Sequence, residues 1–220
     1  MIILTGDFIE VVRESCENEM VLEFLKGELN SNRFNSDLNK SLIELNVDSN
    51  IISSGNLSNE GENSLRLKIM KKYRGYPDSL LFENFPKILE WKLMKLEKED
   101  ISNIYYIDYN YWNLLSNDTS SPLEAVKNTM EGKEIFDVSN KTFLDGVDYL
   151  KSNPFPPVIL ITCNDKRFLI VEGHSRMTIY GFDPTKLNGT YVYVGYCNSK
   201  DMKKYDSRML EGESLKSRKY

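Results

Sequence analysis

Residues 157–181 read PVILITCNDKRFLIVEGHSRMTIYG, and this stretch decides the fold. Two runs of β-branched and apolar residues, 158–162 and 168–171, flank a short polar turn and predict a β-hairpin. The second strand ends at Gly173, and apolar residues then recur at helical spacing from 177 to 182. The stretch therefore predicts strand, turn, strand, glycine bend and helix.

The bend at Gly173 predicts an anion site. It directs free backbone N–H groups and the positive end of the following helix toward one point, an arrangement that binds phosphate. Glycine permits the bend and lets a phosphate approach the backbone. Arg176 falls in the first helical turn, where its guanidinium can donate two hydrogen bonds to phosphate oxygens or pair with Glu172. Ser175 either caps the helix or donates its hydroxyl to the phosphate, and His174 is either a loop residue or a contact to phosphate or substrate.

Residues 168–180, FLIVEGHSRMTIY, resemble the nucleotide-binding box of the ParB/sulfiredoxin superfamily, whose form is a strand, an acidic-Gly-x-x-Arg motif and a helix. The superfamily includes ParB partition proteins, sulfiredoxins, ParB-like nucleases and small-molecule kinases such as the free-serine kinases. The kinases often carry Asp-Gly-His-His-Arg, which Glu172-Gly173-His174-Ser175-Arg176 nearly matches. The resemblance extends over residues 155–182 and implies nucleotide binding, as ATP or ADP with Mg²⁺, through Gly173, His174, Ser175 and Arg176.

The sequence departs from two branches of this superfamily. The reactive cysteine of sulfiredoxin would fall at His174, so reduction of sulfinic acids is not expected. ParB proteins carry a helix-turn-helix domain after the box, whereas residues 183–220 read as one strand and a charged tail. Chromosome partition is therefore not expected either.

Three functions stay open at the level of sequence. The first is an ATP- or ADP-dependent phosphotransferase or nucleotide hydrolase, with Glu172 and His174 as candidate catalytic residues and an unspecified small molecule or protein as acceptor. The second is a non-catalytic regulatory or partner-binding module that uses nucleotide as a switch. The third is a ParB-like nuclease that holds nucleic acid with the basic segment 66–74. Further carboxylates without a motif around them are Asp108, Asp145 and Asp165.

Composition narrows these classes. The 220 residues carry a net charge of −5, which argues against a dedicated nucleic-acid binder, because such proteins usually have a basic excess. His174 is the only histidine, so no metal site can be built from several histidines. Three cysteines, an odd and sparse set, fit a reducing cytosol. No run reaches the ~20 apolar residues of a membrane helix, and the N-terminus lacks a basic leader, so we expect a cytoplasmic protein without a membrane partner.

Two groups of side chains have two interpretations each. The segment 66–74 holds basic residues with no acid between them, and it either faces a phosphate or forms a solvated helix face. The aromatic group between Tyr105 and Trp112 either stacks on a nucleotide base or packs in the core and at its rim.

The predicted fold class is α+β, a small mixed β-sheet covered by helices. Residues 86–220 are predicted to form the nucleotide-binding core, and residues 1–85 a helical N-terminal extension. The polar stretch 46–64 is the strongest candidate for a mobile boundary. Helices are predicted from Glu17, from Ser36, over 63–75 with Gly75 as its end, from Pro86 to 96, over 121–130 with a capping box at Ser121 and Glu124, and over 142–150. Strands are predicted at 2–4, 11–12, 104–107 and 190–197. The charged end 199–220 is predicted to fray.

Overall fold

The computed structural model describes residues 10–31 and 34–209, which form a mixed six-stranded β-sheet with helices on both faces. The strands are β1 (Glu10–Ser15), β2 (Ile88–Leu96), β3 (Ile104–Tyr105), β4 (Val158–Thr162), β5 (Phe168–Glu172) and β6 (Thr190–Cys197). Their order across the sheet is β1-β2-β6-β4-β5-β3. β4 runs parallel to β6, β3 runs parallel to β5, and the other neighbours are antiparallel. The predicted mixed sheet covered by helices is confirmed.

The helices divide between the two faces of this sheet. They are α1 (Glu17–Leu29), α2 (Asn35–Glu44), α3 (Asn50–Ser53), α4 (Glu60–Arg74), α5 (Asn110–Leu115), α6 (Pro122–Met130), α7 (Lys141–Leu150), α8 (His174–Phe182) and α9 (Ser199–Tyr205), with short 3₁₀ turns at Leu80–Phe82, Lys98–Asn103, Pro184–Leu187 and Ser207–Met209. No helix within residues 10–31 and 34–209 is both long and apolar enough to cross a membrane.

The central strand β4 shows why both faces need helices. Its five residues are all buried, and their side chains alternate between the two sides of the sheet. Val158 and Leu160 pack with residues of α5–α8, whereas Ile159 and Ile161 pack with residues of α1, α2 and α4. Each of these side chains contributes about 1.5–3 kcal/mol when it is fully buried, so each helical layer seals one half of the core.

Residues from before and after position 85 contribute to the half of the core that packs against α1, α2 and α4. Met20 and Phe24 from α1 belong to the same buried cluster as Ile159 and Val171. β1 also pairs with β2 along most of its length. The division of the chain at residue 85 itself stays a prediction.

The predicted helix from Pro86 is wrong, because residues 88–96 form β2. Trp91 and Leu93 lie on the side of the sheet that packs against α1, and Met94 and Leu96 lie on the side that packs against α8. Residues two positions apart thus share a side of the sheet, as they do in a strand. The dense apolar run fits the spacing of a helix as well as that of a strand. Hydrogen bonding to β1 on one side and to β6 on the other favours the strand. The sequence alone does not show these partners.

Most other predicted elements are confirmed. The hairpin is β4 and β5, the helix after it is α8, and the strand over 190–197 is β6. The helices from Glu17, from Ser36, and over 63–75, 121–130 and 142–150 are α1, α2, α4, α6 and α7, and Gly75 ends α4 in the left-handed conformation with φ of 81°. The strand at 11–12 is part of β1, and the strand at 2–4 lies outside the described residues.

Four predictions differ from the structure in detail. Ser121 makes no side-chain cap, although α6 begins at Pro122 as predicted. The strand over 104–107 is only the two residues of β3. The polar stretch 46–64 contains α3 and the first turn of α4, and the charged end contains α9 and a 3₁₀ turn before residue 210, where the description stops.

Candidate functional site

The candidate site is the junction between β5 and α8. β5 ends at Glu172, Gly173 adopts a φ of 102°, and α8 begins at His174. A Cβ atom on Gly173 would lie 2.9 Å from Cγ2 of Val158, so both the backbone conformation and the space select glycine. The predicted glycine bend is therefore present.

The first turn of α8 has no side-chain cap among the described residues. The first hydrogen bond inside the helix runs from the N–H of Met177 to the carbonyl of Gly173, over 2.9 Å. Ser175 lies exposed in this turn and does not cap it. Uncapped N–H groups at the positive end of a helix are hydrogen-bond donors for an anion.

Arg176 lies in the same turn, but its guanidinium points back toward the chain. Nη1 donates to the carbonyls of Pro156 and Pro157, both over 2.7 Å, and Nη2 donates to Oε1 of Glu172 over 2.9 Å. Only 14% of the side chain is exposed. The arginine therefore braces the loop before β4 against the end of β5, and the ion-pair interpretation describes its geometry.

A second arginine–glutamate pair lies beside the first, and the sequence gives little sign of it. A Cβ atom on Gly27 of α1 would come 3.5 Å from Nη2 of Arg176, so α1 crosses directly over the brace. The next residue, Glu28, is 2% exposed and accepts hydrogen bonds from Tyr73 and from Nη2 of Arg74. Burial and the negative charge of Glu172 raise the pKa of the Glu28 carboxyl.

Arg74 is itself held between two aromatic rings. Its Cζ atom lies 4.4 Å from the ring centroid of Phe34 and 4.2 Å from that of Tyr73. The available signal for this group is Glu28, a carboxylate on the otherwise apolar face of α1 at Phe24 and Leu25. A charged residue at such a position needs a partner, but the sequence does not say which one.

His174 belongs to a cluster of three aromatic rings that joins α8 to α5. Its ring centroid lies 5.4 Å from that of Trp112, with 14° between the planes, and Trp112 lies 4.6 Å from Tyr106. The Tyr106 hydroxyl lies 2.6 Å from Oγ1 of Thr178, one turn along α8 from His174. Tyr106 and Trp112 are thus buried core residues, which confirms core packing for these two members of the aromatic group, whereas Tyr109 is 56% exposed.

The environment of His174 keeps the imidazole neutral. Burial, and then the nearby charge of Arg176, lower the pKa of His174 to about 3. The residue as a whole is half-buried, and Nε2 is buried without a hydrogen-bond partner among the described residues. Such a ring is a weak base, and its buried nitrogen is not presented to a substrate.

The basic segment 66–74 is mostly engaged in structure. Arg66 is fully buried and donates to the carbonyls of Ile51 and Asn56, over 2.6 and 3.1 Å, so it clamps the loop before α4. Arg74 pairs with Glu28, and Lys72 pairs with Glu44. The interpretation as a solvated helix face holds for the lysines, whereas the two arginines face inward. Contact of the segment with a phosphate stays a prediction.

The other candidate carboxylates make contacts within their own segments or lie at the far end of β5. Asp145 is exposed on α7 and pairs with Lys141, and Asp108 accepts a hydrogen bond from Asn113. Asp165 lies in the hairpin turn at the opposite end of β5, about 16 Å along a five-residue strand. No group of three or more metal-ligating His, Cys, Asp or Glu side chains occurs in the part of the chain that the structure describes.

Comparison of the chain with protein-family models, with curated proteins and with solved structures found no match. The chemistry of the junction is therefore the basis for assigning a function.

Proposed function

We propose that the chain binds the phosphates of a nucleotide at the first turn of α8, within a core of the ParB/sulfiredoxin-like kind. The observation that carries this proposal is the left-handed Gly173, which turns β5 directly into a helix without a side-chain cap. The first N–H groups of a helix without a side-chain cap need an acceptor, and a phosphate supplies several oxygens at once. The nucleotide is ATP or ADP with Mg²⁺, as the box at residues 172–176 implies.

Arg176 takes a positioning role in this proposal. Its bonds to Pro156, Pro157 and Glu172 hold the loop and the strand end in place around the helix terminus. Because Glu172 balances its charge, the positive potential at the turn comes mainly from the helix dipole and the backbone N–H groups. Ser175, exposed beside them, adds a hydroxyl donor.

The geometry supports binding more than catalysis. A general base must reach the proton of the acceptor, and its pKa should lie near the working pH. The Glu172 carboxylate is occupied by Arg176, and the pKa of His174 is lowered to about 3. We therefore favour a nucleotide-switched regulatory or partner-binding module over a phosphotransferase or hydrolase. The nuclease alternative has weaker support, because Arg66 and Arg74 are not free to hold a nucleic-acid backbone.

The test replaces Ser175 by aspartate and measures stability and binding together. Negative charge in the first turn stabilises a helix by about 0.3–1 kcal/mol, so Ser175→Asp should melt at or slightly above the temperature of the wild type. The same charge repels phosphate, so the affinity for ATP or ADP with Mg²⁺ should fall about tenfold or more. Calorimetric titration gives the affinity, and thermal melting gives the stability.

Thr142→Asp is the matched control, since it adds the same charge to the exposed first turn of α7. It should bind nucleotide as the wild type does. Equal binding by Ser175→Asp and the wild type, or no binding of any nucleotide by the wild type, would refute the site. Mg²⁺-dependent release of phosphate from ATP by the wild type would contradict the binding-only role and favour the enzyme.

A further inference from the structure

The ends of β4 and β6 bring two cysteines into neighbouring positions. The two strands are parallel, and their pairing runs from Val158 opposite Val192 to Thr162 opposite Tyr196. Cys197 is the last residue of β6, and Cys163 follows directly after the end of β4 at Thr162, so one further step of the same register sets the two cysteines side by side. Neighbouring strands lie about 4.8 Å apart, which falls within the Cα–Cα range of about 4.4–6.8 Å for a disulfide.

The two thiols also lie on the same side of the sheet. Cys197 belongs to the buried cluster that Ile159 and Ile161 share with α1, and Cys163 packs against the same cluster. The Sγ atom of Cys197 lies 3.5 Å from the carbonyl oxygen of Thr162, the group that leads directly into Cys163. Register, face and this contact therefore agree.

The two thiols differ in their exposure to solvent, so they would react with a dissolved disulfide in a fixed order. Cys163 is half-buried, whereas Cys197 is buried, and both are free thiols. A small dissolved disulfide therefore reaches Cys163 first. Cys197 then stands behind it as the resolving thiol.

We propose that Cys163 and Cys197 form a site of reversible oxidation, in which a low-molecular-weight disulfide such as oxidised glutathione converts the pair to an intramolecular disulfide. The Cys163 thiolate attacks one glutathione sulfur and releases a first glutathione. The Cys197 thiol then loses its proton to solvent, attacks the Cys163 sulfur and releases a second glutathione. Two protein thiols are oxidised, and one disulfide is reduced to two thiols.

The surroundings of the thiols make this exchange slow at neutral pH. Burial raises the pKa of the Cys163 thiol, and burial together with the neighbouring Cys163 raises the pKa of Cys197 to about 12. Because only the thiolate attacks, the rate should rise about tenfold for each pH unit below these values. The site therefore responds to prolonged oxidation rather than to brief pulses.

The disulfide would enclose β5 and α8 in a covalent loop between residues 163 and 197. It should raise the melting temperature by roughly 5–10 °C, because it restricts the unfolded chain. This inference rests on the strand register, the shared side of the sheet and the contact between Cys197 and Thr162, and it does not depend on the proposed nucleotide site.

The experiment incubates the full chain with graded ratios of oxidised and reduced glutathione and maps its peptides without reduction. The wild type should yield one cross-linked peptide pair that joins Cys163 to Cys197, two hydrogens lighter than the thiol form. Cys197→Ser should instead accumulate a stable glutathione adduct on Cys163, since the resolving thiol is gone. Cys16→Ser is the control, because Cys16 is exposed and lies before α1, and it should behave as the wild type does.

Two outcomes would overturn the proposal. In the first, the wild type keeps glutathione on Cys163, or stays fully reduced, at every ratio without forming the internal disulfide. In the second, the disulfide forms only in denaturant, which would place the two thiols out of reach in the folded chain.

Discussion

Gly173 is selected twice, by its backbone conformation and by its neighbour. Its φ of 102° disfavours any residue with a Cβ atom, and that atom would also press against Val158 at 2.9 Å. Gly132 separates the two effects, since its φ is 85° and a Cβ there would meet nothing within 4 Å.

We predict that Gly132→Ala costs about 1–2 kcal/mol of folding free energy, the usual penalty for a left-handed alanine. Gly173→Ala should cost about 1 kcal/mol more, because Val158 must also shift. Urea denaturation of both variants measures the two losses. Equal losses would mean that Val158 moves aside freely and that conformation alone selects glycine at the junction.

At the scale of elements, Arg176 joins three parts of the chain. It connects the loop before β4, the end of β5 and the first turn of α8 through three hydrogen bonds, and it is largely buried. Arg176→Ala would leave two carbonyls and a carboxylate without their donor. We predict a loss of about 2–3 kcal/mol in urea denaturation.

Arg13→Ala is the matched comparison for this variant. Arg13 also pairs with a glutamate, Glu19, but its side chain is 48% exposed. Although Glu19 is only 13% exposed, the Arg13 guanidinium lies half in solvent and water can replace it beside the carboxylate, so Arg13→Ala should cost less than Arg176→Ala. If the two variants lose the same stability, then Arg176 is not a brace, and its role as a direct phosphate ligand regains support.

The sequence predicts the elements whose pattern is local. The hairpin of β4 and β5 and the helix α8 follow from a polar turn, one glycine and a change from period two to helical spacing. β2 could not be predicted in this way, because its apolar run fits the spacing of a helix as well as that of a strand. It forms a strand because it pairs with β1 and β6. Pairing between strands that lie far apart in the chain cannot be predicted from a local sequence pattern.

In the candidate site, too, some features follow from the local sequence and others depend on tertiary contacts. Gly173 and the helix start are visible in the sequence, because they depend on consecutive residues. The orientation of Arg176 depends on Pro156 and Pro157, and the neutral state of His174 depends on Trp112 and Tyr106. These contacts form only when the sheet and its helices assemble, so the type of residue was predictable and its bonding was not.

For the whole molecule, the single histidine gives the global stability a pH dependence that can be isolated. Its pKa is about 3 in the folded chain and about 6.5 when unfolded, so the unfolded chain takes up a proton first as the pH falls. Stability is therefore complete above pH 6.5 and is lost as the pH decreases toward 3. Glu28 acts in the opposite direction, because its folded-state pKa is raised.

We predict that the wild type loses about 1–2 kcal/mol between pH 7 and pH 5 relative to His174→Phe. Phenylalanine keeps an aromatic ring against Trp112 but cannot be protonated, and Glu28 is the same in both proteins. Urea denaturation at a series of pH values gives the two stability curves. Curves that run parallel over this interval would show that the imidazole takes up its proton equally well in the folded chain.

The order of the strands also governs when the sheet can be completed during synthesis. β6 lies between β2 and β4, so residues 190–197 separate a strand made early from the hairpin made late. Until that last strand leaves the ribosome, β1 and β2 have no connection to the rest of the sheet, and one edge of β4 stays open. High contact order of this kind slows folding and leaves apolar strands exposed in the nascent chain. The nascent polypeptide thus keeps an edge of β4 open to other strands until β6 has emerged.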